Sequence, residues 1–300
     1  MNRLSRITFA ALLCGLAIAV TAEAATGRTA RLFILSGQSN ARGRGNLDDL
    51  EPAQRAPIRN ALIYYGERDW LPLPPAGGAG AKARPRDSGF GIEISFAREL
   101  AQRHPDDVIA ICKAAISVGT PIVAWEKDHA RPGFTEELKA LNKINKLKSK
   151  SGDLRHLYNE LTGSTKRAID LLKRRGDIGD VRVEGLLWVQ NESDVKTLDA
   201  ARSYKPRLQA LVHNLRTDLN QPDLAALVMD FHISGPAEHV RAIKQGLREA
   251  EHETPRLRVV PCEDLPTIEG VHFNSQGLWL LGVRFADAYR ALGSEEAQPK

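Results

Sequence analysis

The sequence predicts a single α/β domain in which helices cover both faces of a mainly parallel, five-stranded sheet. Short apolar runs typical of buried strands alternate along the chain with longer segments whose apolar residues recur at helical spacing. Residues 25–300 are enough for one domain with a substantial core, and no long Pro/Ser-rich or single-charge linker divides them. Strands that each lead through a loop into a helix predict a three-layer α/β/α arrangement.

Five strands and five helices make up this alternation. The predicted strands are residues 31–35, 108–112, 183–189, 224–231 and 257–260. The predicted helices are residues 92–102, 154–175, 200–219, 237–250 and 275–292. Residues 60–75 and the Gly-rich residues 76–86 contain turn residues and proline, so we expect irregular surface there with room for one short strand.

The carboxyl ends of the predicted strands are where site residues are expected. Ligands of parallel α/β sheets bind in the crevice beyond these ends. The relevant loops begin after Leu35, Cys112, Val189, Phe231 and Val260.

Residues 1–24 have the pattern of a secretory signal peptide. Two arginines precede an uncharged apolar stretch at residues 7–20, and the small-x-small cleavage site Ala-Glu-Ala follows at residues 22–24. A retained membrane anchor is the alternative, but this stretch of about 14 residues is shorter than the roughly 20 needed to span a bilayer. We therefore expect cleavage, export to the periplasm or the cell exterior, and no stable membrane insertion of residues 25–300.

Charge and cysteine content exclude several classes of protein. The formal net charge is +5, with basic and acidic residues interspersed, and the basic run at residues 143–155 is expected to be a solvated face. No aromatic residues interleave with that run, so nucleic-acid binding is not expected. After the signal segment only Cys112 and Cys262 remain, which excludes a disulfide framework and a four-cysteine metal site.

The loop after the first strand contains a candidate nucleophile. Residues 36–40 read Ser-Gly-Gln-Ser-Asn, so a small flexible residue lets the backbone turn sharply and Ser39 then sits above the sheet edge. A serine hydroxyl needs a nearby base to take its proton, which requires a histidine on another loop of this edge. The Gly-x-Ser-x-Gly elbow of α/β-hydrolases is excluded, because position 41 is alanine.

The loop after the fifth strand supplies such a base. His272 lies between this strand and the last helix, and Glu269 precedes it by three residues. A carboxylate at that separation can hold the imidazole in the right tautomer and stabilise the imidazolium that forms when the serine attacks. Ser39, His272 and Glu269 are therefore the candidate catalytic triad.

Four sequence blocks carry a family resemblance. They occur at residues 32–43, 113–125, 187–194 and 270–282, and they read LFILSGQSNARG, KAAISVGTPIVAW, LWVQNESD and GVHFNSQGLWLLG. In content and order these blocks resemble the SGNH hydrolase superfamily, specifically its branch of sialate O-acetylesterase-like proteins and carbohydrate esterase family six. The resemblance covers nearly all of residues 25–300 and implies a flavodoxin-like SGNH fold.

The resemblance also implies how an oxyanion would be held. Its donors would be the backbone N–H groups of Ser39 and Gly119 together with the side-chain amide of Gln190. Asn191 stands where the family usually has glycine. It could add a donor, narrow the pocket or form a turn.

The carboxylate that orients His272 is a second departure from the family pattern. The family usually has aspartate where this chain has Glu269, whose side chain is one methylene longer. Asp264 is a rival partner, and a Ser-His dyad helped by a backbone carbonyl is a third arrangement. We take Glu269 as the expected partner of His272.

Other polar residues receive structural interpretations. Glu192 and Asp194 are expected to accept hydrogen bonds and brace the active-site loops, as the resemblance implies, rather than to act as an acid–base pair. His232 follows a strand and is expected to be a structural histidine near the site. The SGNH strand order places Cys112 and Cys262 on opposite edge strands, about 19 Å apart at the usual strand spacing, so no disulfide is expected between them.

Taken with the resemblance, these residues predict an exported serine esterase that hydrolyses O-acetyl esters, with an acetylated carbohydrate as its partner. Neither a metal ion nor an organic cofactor is needed for a Ser-His-carboxylate mechanism. Two alternatives stay open: a non-catalytic carbohydrate-binding module on the same fold, suggested by the departures at positions 191 and 269, and a lipid or thioester hydrolase of the SGNH type. The sequence does not predict the oligomeric state.

Overall fold

The structure, a computed structural model, describes residues 27–66, 69–74, 89–149 and 151–296. Within these ranges one sheet contains seven strands: β1 (Arg28–Gly37), β2 (Ile58–Tyr64), β3 (Leu71–Leu73), β4 (Val108–Ala115), β5 (Ile178–Val189), β6 (Ala225–Met229) and β7 (Leu257–Val260). Their spatial order is β3-β2-β4-β1-β5-β6-β7, and all neighbours are parallel except β2 and β3. The mainly parallel α/β sheet is confirmed.

Two strands lie in the region that the sequence predicts to be mostly irregular. β2 pairs with β4 in parallel, and β3 adds to β2 in antiparallel orientation at the edge of the sheet. The short β3 carries the proline that suggests a loop, and proline is tolerated in edge strands because they need fewer backbone donors. The sheet therefore has seven strands instead of the five expected.

The helices of the described ranges follow the strands closely. They are α1 (Ser39–Arg42), α2 (Pro52–Arg55), α3 (Glu93–Arg103), α4 (Phe134–Ala140), α5 (Leu157–Lys173), α6 (Leu198–Asp218), α7 (Ala237–Glu253) and α8 (Ser275–Glu296). The five long ones correspond to the five predicted helices. No described helix is both long and apolar enough to cross a membrane, and the predicted signal peptide at residues 1–24 lies outside the described residues.

Two apolar cores separate the three layers. Residues of α5, α6 and α7 pack with Leu32 and Ile34 on one face of the sheet, whereas α3 and α8 pack with Phe33 and Leu35 on the other. All four of these β1 side chains are fully buried. Because side chains alternate between faces along a strand, the continuous apolar run of β1 serves both cores and places this strand in the sheet centre.

The active-site candidates gather where the central strands end. Helix α1 begins at Ser39 directly after β1, and a small hairpin of β8 (Thr267–Ile268) and β9 (His272–Phe273) lies between β7 and α8. The cysteines are far apart in the sheet. Cys112 lies in β4 and Cys262 follows β7, with β1, β5 and β6 between these strands, and both thiols are free. Cys112 is not on an edge strand, because β2 and β3 lie outside β4.

Candidate active site

The backbone before Ser39 makes a turn that needs glycine. Gly37 ends β1 with a φ of +136°, and an added Cβ there would lie 2.1 Å from the carbonyl oxygen of Val189. A side chain at this position is therefore excluded by both the dihedral angle and the neighbouring strand. The tight turn leaves Ser39 as the first residue of α1, 5% exposed.

The hydroxyl of Ser39 meets the imidazole of His272. The Ser39 Oγ lies 3.0 Å from His272 Nε2, although 233 positions separate the two residues in the chain. This distance is within the range at which a general base takes a hydroxyl proton. The structure thus brings together the two residues that the sequence proposes as nucleophile and base.

The surroundings of His272 favour its neutral form. Burial lowers the pKa of His272 below its usual value of 6.5, and the neighbouring Arg44 and His232 act in the same direction. The carboxylates of Glu192 and Glu269 oppose this shift. Because only the neutral imidazole can accept a proton, this environment suits a general base at neutral pH.

Glu269 is near His272 without bonding to it. Its Oε2 lies 4.0 Å from His272 Nδ1, and its side chain is 73% exposed. Glu269 adopts a left-handed φ of +58° in the turn between β8 and β9. The Nδ1 atom is buried and has no hydrogen-bond partner among the described residues. Within the hairpin, the acidic side chain near His272 Nδ1 is that of Glu269.

Asp264 is held elsewhere. Both of its carboxylate oxygens accept hydrogen bonds of 2.6 Å from the guanidinium of Arg284, on α8. This bidentate pair lowers the pKa of Asp264 to about 2. The structure therefore contradicts Asp264 as the partner of His272, because its charge is already neutralised by Arg284.

Two backbone N–H groups near the nucleophile loop have no acceptor within the described protein. The loop that carries Gly119 is tied to the nucleophile loop by the N–H of Thr120, which donates to Gln38 Oε1 at 3.1 Å. Over the part of the chain that the structure describes, the N–H groups of Ser39 and Gly119 donate to no other group. Both N–H groups are therefore unused by the protein itself, as the expected role in binding an oxyanion requires.

Gln190 does not belong to this set of donors, contrary to the prediction. Its side chain is fully buried, and its Nε2 donates to the Thr120 carbonyl at 2.8 Å and to Asp194 Oδ2 at 2.6 Å. Both N–H bonds of the amide are thereby used inside the protein. Gln190 and Asp194 instead brace the loop that contains Thr120, since Asp194 also accepts from the N–H of Ile122.

Asn191 is also a bracing residue. Its fully buried amide donates to the Met229 carbonyl at the end of β6, at 2.8 Å. Asn191 therefore links the ends of β5 and β6, and its fully buried side chain does not line a solvent-filled pocket.

Glu192 is a buried carboxylate that organises the nucleophile loop. It is 4% exposed and accepts hydrogen bonds from Gln38 Nε2 and Asn40 Nδ2, both at 2.6 Å, and from the N–H of Asn191 at 3.0 Å. A buried carboxylate with several donors is well satisfied. Glu192 therefore fixes the residues on both sides of Ser39 and is no acid–base partner.

Asn40 and His232 hold the hairpin that carries His272. Asn40 donates to the Val271 carbonyl at 3.1 Å and accepts from the N–H of Phe273 at 3.2 Å. His232 Nε2 lies 2.9 Å from the same Val271 carbonyl, and its ring stacks on Phe273 at 4.4 Å. The sequence alone does not identify Asn40 and His232 as supports of His272, because only the fold shows that they contact both of its neighbours.

The described residues contain no group of three or more His, Cys, Asp or Glu side chains that could hold a metal ion.

Comparison with known proteins gives a family. Residues 29–291 match the sequence model of a family described as carbohydrate esterase, sialic acid-specific acetylesterase. A probable carbohydrate esterase of Arabidopsis thaliana is 27% identical over 277 residues, which cover 86% of this chain and 90% of that protein.

Solved structures have a similar fold. The X-ray structure of that Arabidopsis protein superposes with a TM-score of 0.66 at 23% identity, covering 87% of this chain and 98% of that one. NanS superposes with a TM-score of 0.61 at 15% identity, covering 90% and 99%. A carbohydrate acetylesterase from Xanthomonas citri gives 0.62 at 16% identity, covering 89% of this chain and 57% of that one.

Proposed function

Because the chain belongs to the carbohydrate esterase family of sialic acid-specific acetylesterases, we propose that it removes O-acetyl groups from carbohydrates through an acetyl-enzyme on Ser39. The resemblance found in the four sequence blocks is confirmed, and the protein is a carbohydrate esterase. The choice of catalytic residues is supported by one observation above all, the 3.0 Å contact between Ser39 Oγ and His272 Nε2.

The proposed reaction has two acyl-transfer steps. His272 Nε2 takes the Ser39 proton while Oγ attacks the acetyl carbonyl, and the N–H groups of Ser39 and Gly119 donate to the oxyanion of the tetrahedral intermediate. The C–O bond to the sugar then breaks, and the sugar oxygen leaves with the proton from His272. His272 next takes a proton from water, whose oxygen attacks the acetyl-enzyme. The C–Oγ bond then breaks, His272 returns the proton to Ser39 Oγ, and acetic acid leaves as acetate with loss of its own proton to solvent.

Glu269 is proposed to complete the triad by a small approach to His272. Its carboxylate is 4.0 Å from Nδ1, so a shift of about 1 Å would bring it to hydrogen-bonding distance. Catalytic hydrogen bonds often tighten only when substrate is bound. The negative charge would then stabilise the imidazolium that forms in each step.

Export of the mature domain is part of the proposal. Residues 1–24 carry the positive, apolar and small-residue segments of a signal peptide. Expression of the full chain in a bacterial host should give a periplasmic or extracellular protein whose N-terminal residue, read by mass spectrometry, is Ala25. Retention of residues 1–24 on a membrane-bound protein would contradict export.

Acetate release from a panel of acetylated glycans tests the activity. We expect Ser39→Ala to lose at least about 10⁴-fold in kcat. The matched control is Ser117→Ala, which removes an exposed hydroxyl on the Gly119 loop and should leave the rate unchanged. Activity that survives in Ser39→Ala would overturn the proposed mechanism.

Two further outcomes would replace the proposed substrate. Glycan binding without acetate release by the wild type would indicate a non-catalytic binding module. A preference for long-chain over acetyl aryl esters would indicate a lipid hydrolase on the same fold.

A further inference from the structure

Lys143 is a buried lysine beside the loop that carries Gly119. It begins the basic run at residues 143–155, yet it is only 4% exposed, so this end of the run is not the expected solvated face. Its ammonium donates a hydrogen bond to the carbonyl oxygen of Gly119. Its backbone is fixed as well, because its N–H donates to Leu138 and its carbonyl accepts from Lys146.

No ion pair explains the burial of this charge. Among the described residues, Lys143 forms no salt bridge with a carboxylate, and Asp194 is the acidic residue that acts on its charge. Burial lowers the pKa of Lys143 to about 8, and the nearby cations Lys196 and Lys146 act in the same direction, whereas Asp194 opposes the shift. A buried cation among other cations costs folding free energy, so its position serves something other than stability.

Lys143 and Gln38 hold the peptide bond between Gly119 and Thr120 from opposite ends. Lys143 bonds to its carbonyl oxygen, and Gln38 Oε1 accepts from its N–H at 3.1 Å. A Cβ on Gly119 would lie 3.0 Å from Ser193 Oγ and 3.4 Å from Lys143 Nζ, so both side chains pack closely on this glycine. The orientation of the Gly119 loop is therefore set by these contacts.

We propose that Lys143 is a positioning residue for ester hydrolysis: it fixes the Gly119 carbonyl, so that the Gly119 N–H keeps its aim at the oxyanion, and it adds positive charge beside this loop. The inference rests on the proposed function, because Gly119 has a catalytic purpose only as an oxyanion donor. A misplacement of about 1 Å near the reacting atoms can cost roughly 100-fold in rate.

The charge of Lys143 gives this role a pH dependence. The residue is protonated below its pKa of about 8, so its electrostatic contribution is present at neutral pH and is lost as the pH rises through that value. The groups that set this pKa are Lys196, Lys146 and Asp194. The alkaline limb of the kcat profile should therefore report Lys143, whereas the acidic limb reports His272.

The test compares Lys143→Met with the wild type on an aryl acetate across the pH range. Methionine keeps a chain of similar length and removes both charge and donor. We expect kcat to fall about 10- to 100-fold with KM within about 2-fold, and the decrease in kcat above pH 8 to disappear. The Tm should change little, because removal of a buried cation that has no counter-ion offsets the loss of its hydrogen bond to the Gly119 carbonyl.

Lys146→Met is the matched control, because Lys146 is an exposed lysine next to Lys143. This variant should have the wild-type kcat, and its kcat should still decrease at alkaline pH. The decrease should begin at slightly higher pH, because Lys146 lowers the pKa of Lys143. A second readout does not depend on turnover: the backbone amide resonance of Gly119 in ¹⁵N-glycine-labelled protein should titrate near pH 8 in the wild type and not in Lys143→Met.

The outcomes separate this inference from the proposed function. An active wild type whose Lys143→Met variant keeps its kcat and its alkaline limb would overturn the role of Lys143 and leave the esterase mechanism standing. A Gly119 resonance with the same pH dependence in both proteins would also overturn it. An inactive wild type would overturn the proposed function, and the purpose given to Lys143 with it.

Discussion

The two sides of the candidate active site differ in how far burial and hydrogen bonds fix their side chains. On the nucleophile side, Gln38 and Asn40 are each 2% exposed and both donate to the buried Glu192 at 2.6 Å. On the other side, the carboxylate of Glu269 is 73% exposed and stops 4.0 Å from His272. A buried network therefore preorganises the loop of the proposed nucleophile, whereas a solvent-exposed turn places Glu269, the last member of the proposed triad. Mutations on the two sides should differ in cost accordingly.

The largest effect after loss of Ser39 itself should come from Glu192→Gln. The substitution keeps the shape but replaces a carboxylate that three N–H donors share, so at least one donor is left unpaired in the interior. We expect kcat to fall about 100-fold and the free energy of unfolding, measured in urea, to fall by at least about 2 kcal/mol. The exposed Glu136→Gln is the control and should change neither quantity. A wild-type kcat in Glu192→Gln would mean that the nucleophile loop keeps its conformation without the Glu192 carboxylate.

Substitutions of His232, which contacts the hairpin that carries His272, should have an effect of intermediate size on kcat. His232→Phe keeps the stacking on Phe273 and loses the hydrogen bond to Val271, whereas His232→Gln keeps a donor and loses the stacking. We expect each to lower kcat about 10-fold with little change in KM. Because His232 lowers the pKa of His272, both variants should also move the acidic limb of the kcat profile to higher pH. Wild-type kinetics in both variants would show that Asn40 alone holds the hairpin.

Glu269 should matter less than these buried residues. An exposed carboxylate is screened by water and contributes little Coulomb energy to its partner, so Glu269→Gln should lower kcat by no more than about 10-fold. Asp264→Asn should leave kcat unchanged, since Asp264 pairs with Arg284. The reverse result, a normal Glu269→Gln and a collapsed Asp264→Asn, would reassign the carboxylate of the triad.

The smallest expected effect is the change in kcat/KM of the wild type with pH around neutrality. Protonated His272 cannot accept the Ser39 proton, so kcat/KM should rise with pH as His272 loses its proton. Because burial lowers this pKa, the midpoint should lie below 6.5 and the rate should be near its plateau at pH 7. A midpoint above 6.5 would indicate that the charge of Glu269 outweighs the burial of His272.

The sequence predicts the fold better than the directions of its side chains. Continuous apolar runs identify the buried central strands, and their carboxyl ends correctly place Ser39 and His272 on one edge. β2 is different, because its sequence IRNALIY lacks regular alternation and follows a proline, and its strand geometry depends on pairing with β4. Strand pairing across the chain cannot be read from such a local pattern.

The bracing network illustrates a second limit. Gln190 and Gln38 are both amides near the nucleophile, and their roles depend on which carbonyl, carboxylate or N–H each one meets after folding. Gln190 meets Thr120 and Asp194, 70 and 4 positions away, while Asn40 meets Val271, 231 positions away. Spacing in the sequence carries no information on contacts of this kind. The same is true of Lys143, which a charge count assigns to a solvated surface and the fold buries.

Labelling with a fluorophosphonate followed by peptide mass spectrometry tests the central pairing of Ser39 and His272 most directly. We expect the wild type to be labelled on Ser39 alone, with labelling abolished in Ser39→Ala and slowed at least about 10³-fold in His272→Ala. A folded, catalytically active wild type that carries the label on another residue would contradict the assignment of this pair. Labelling of His272→Ala at the wild-type rate would contradict it as well.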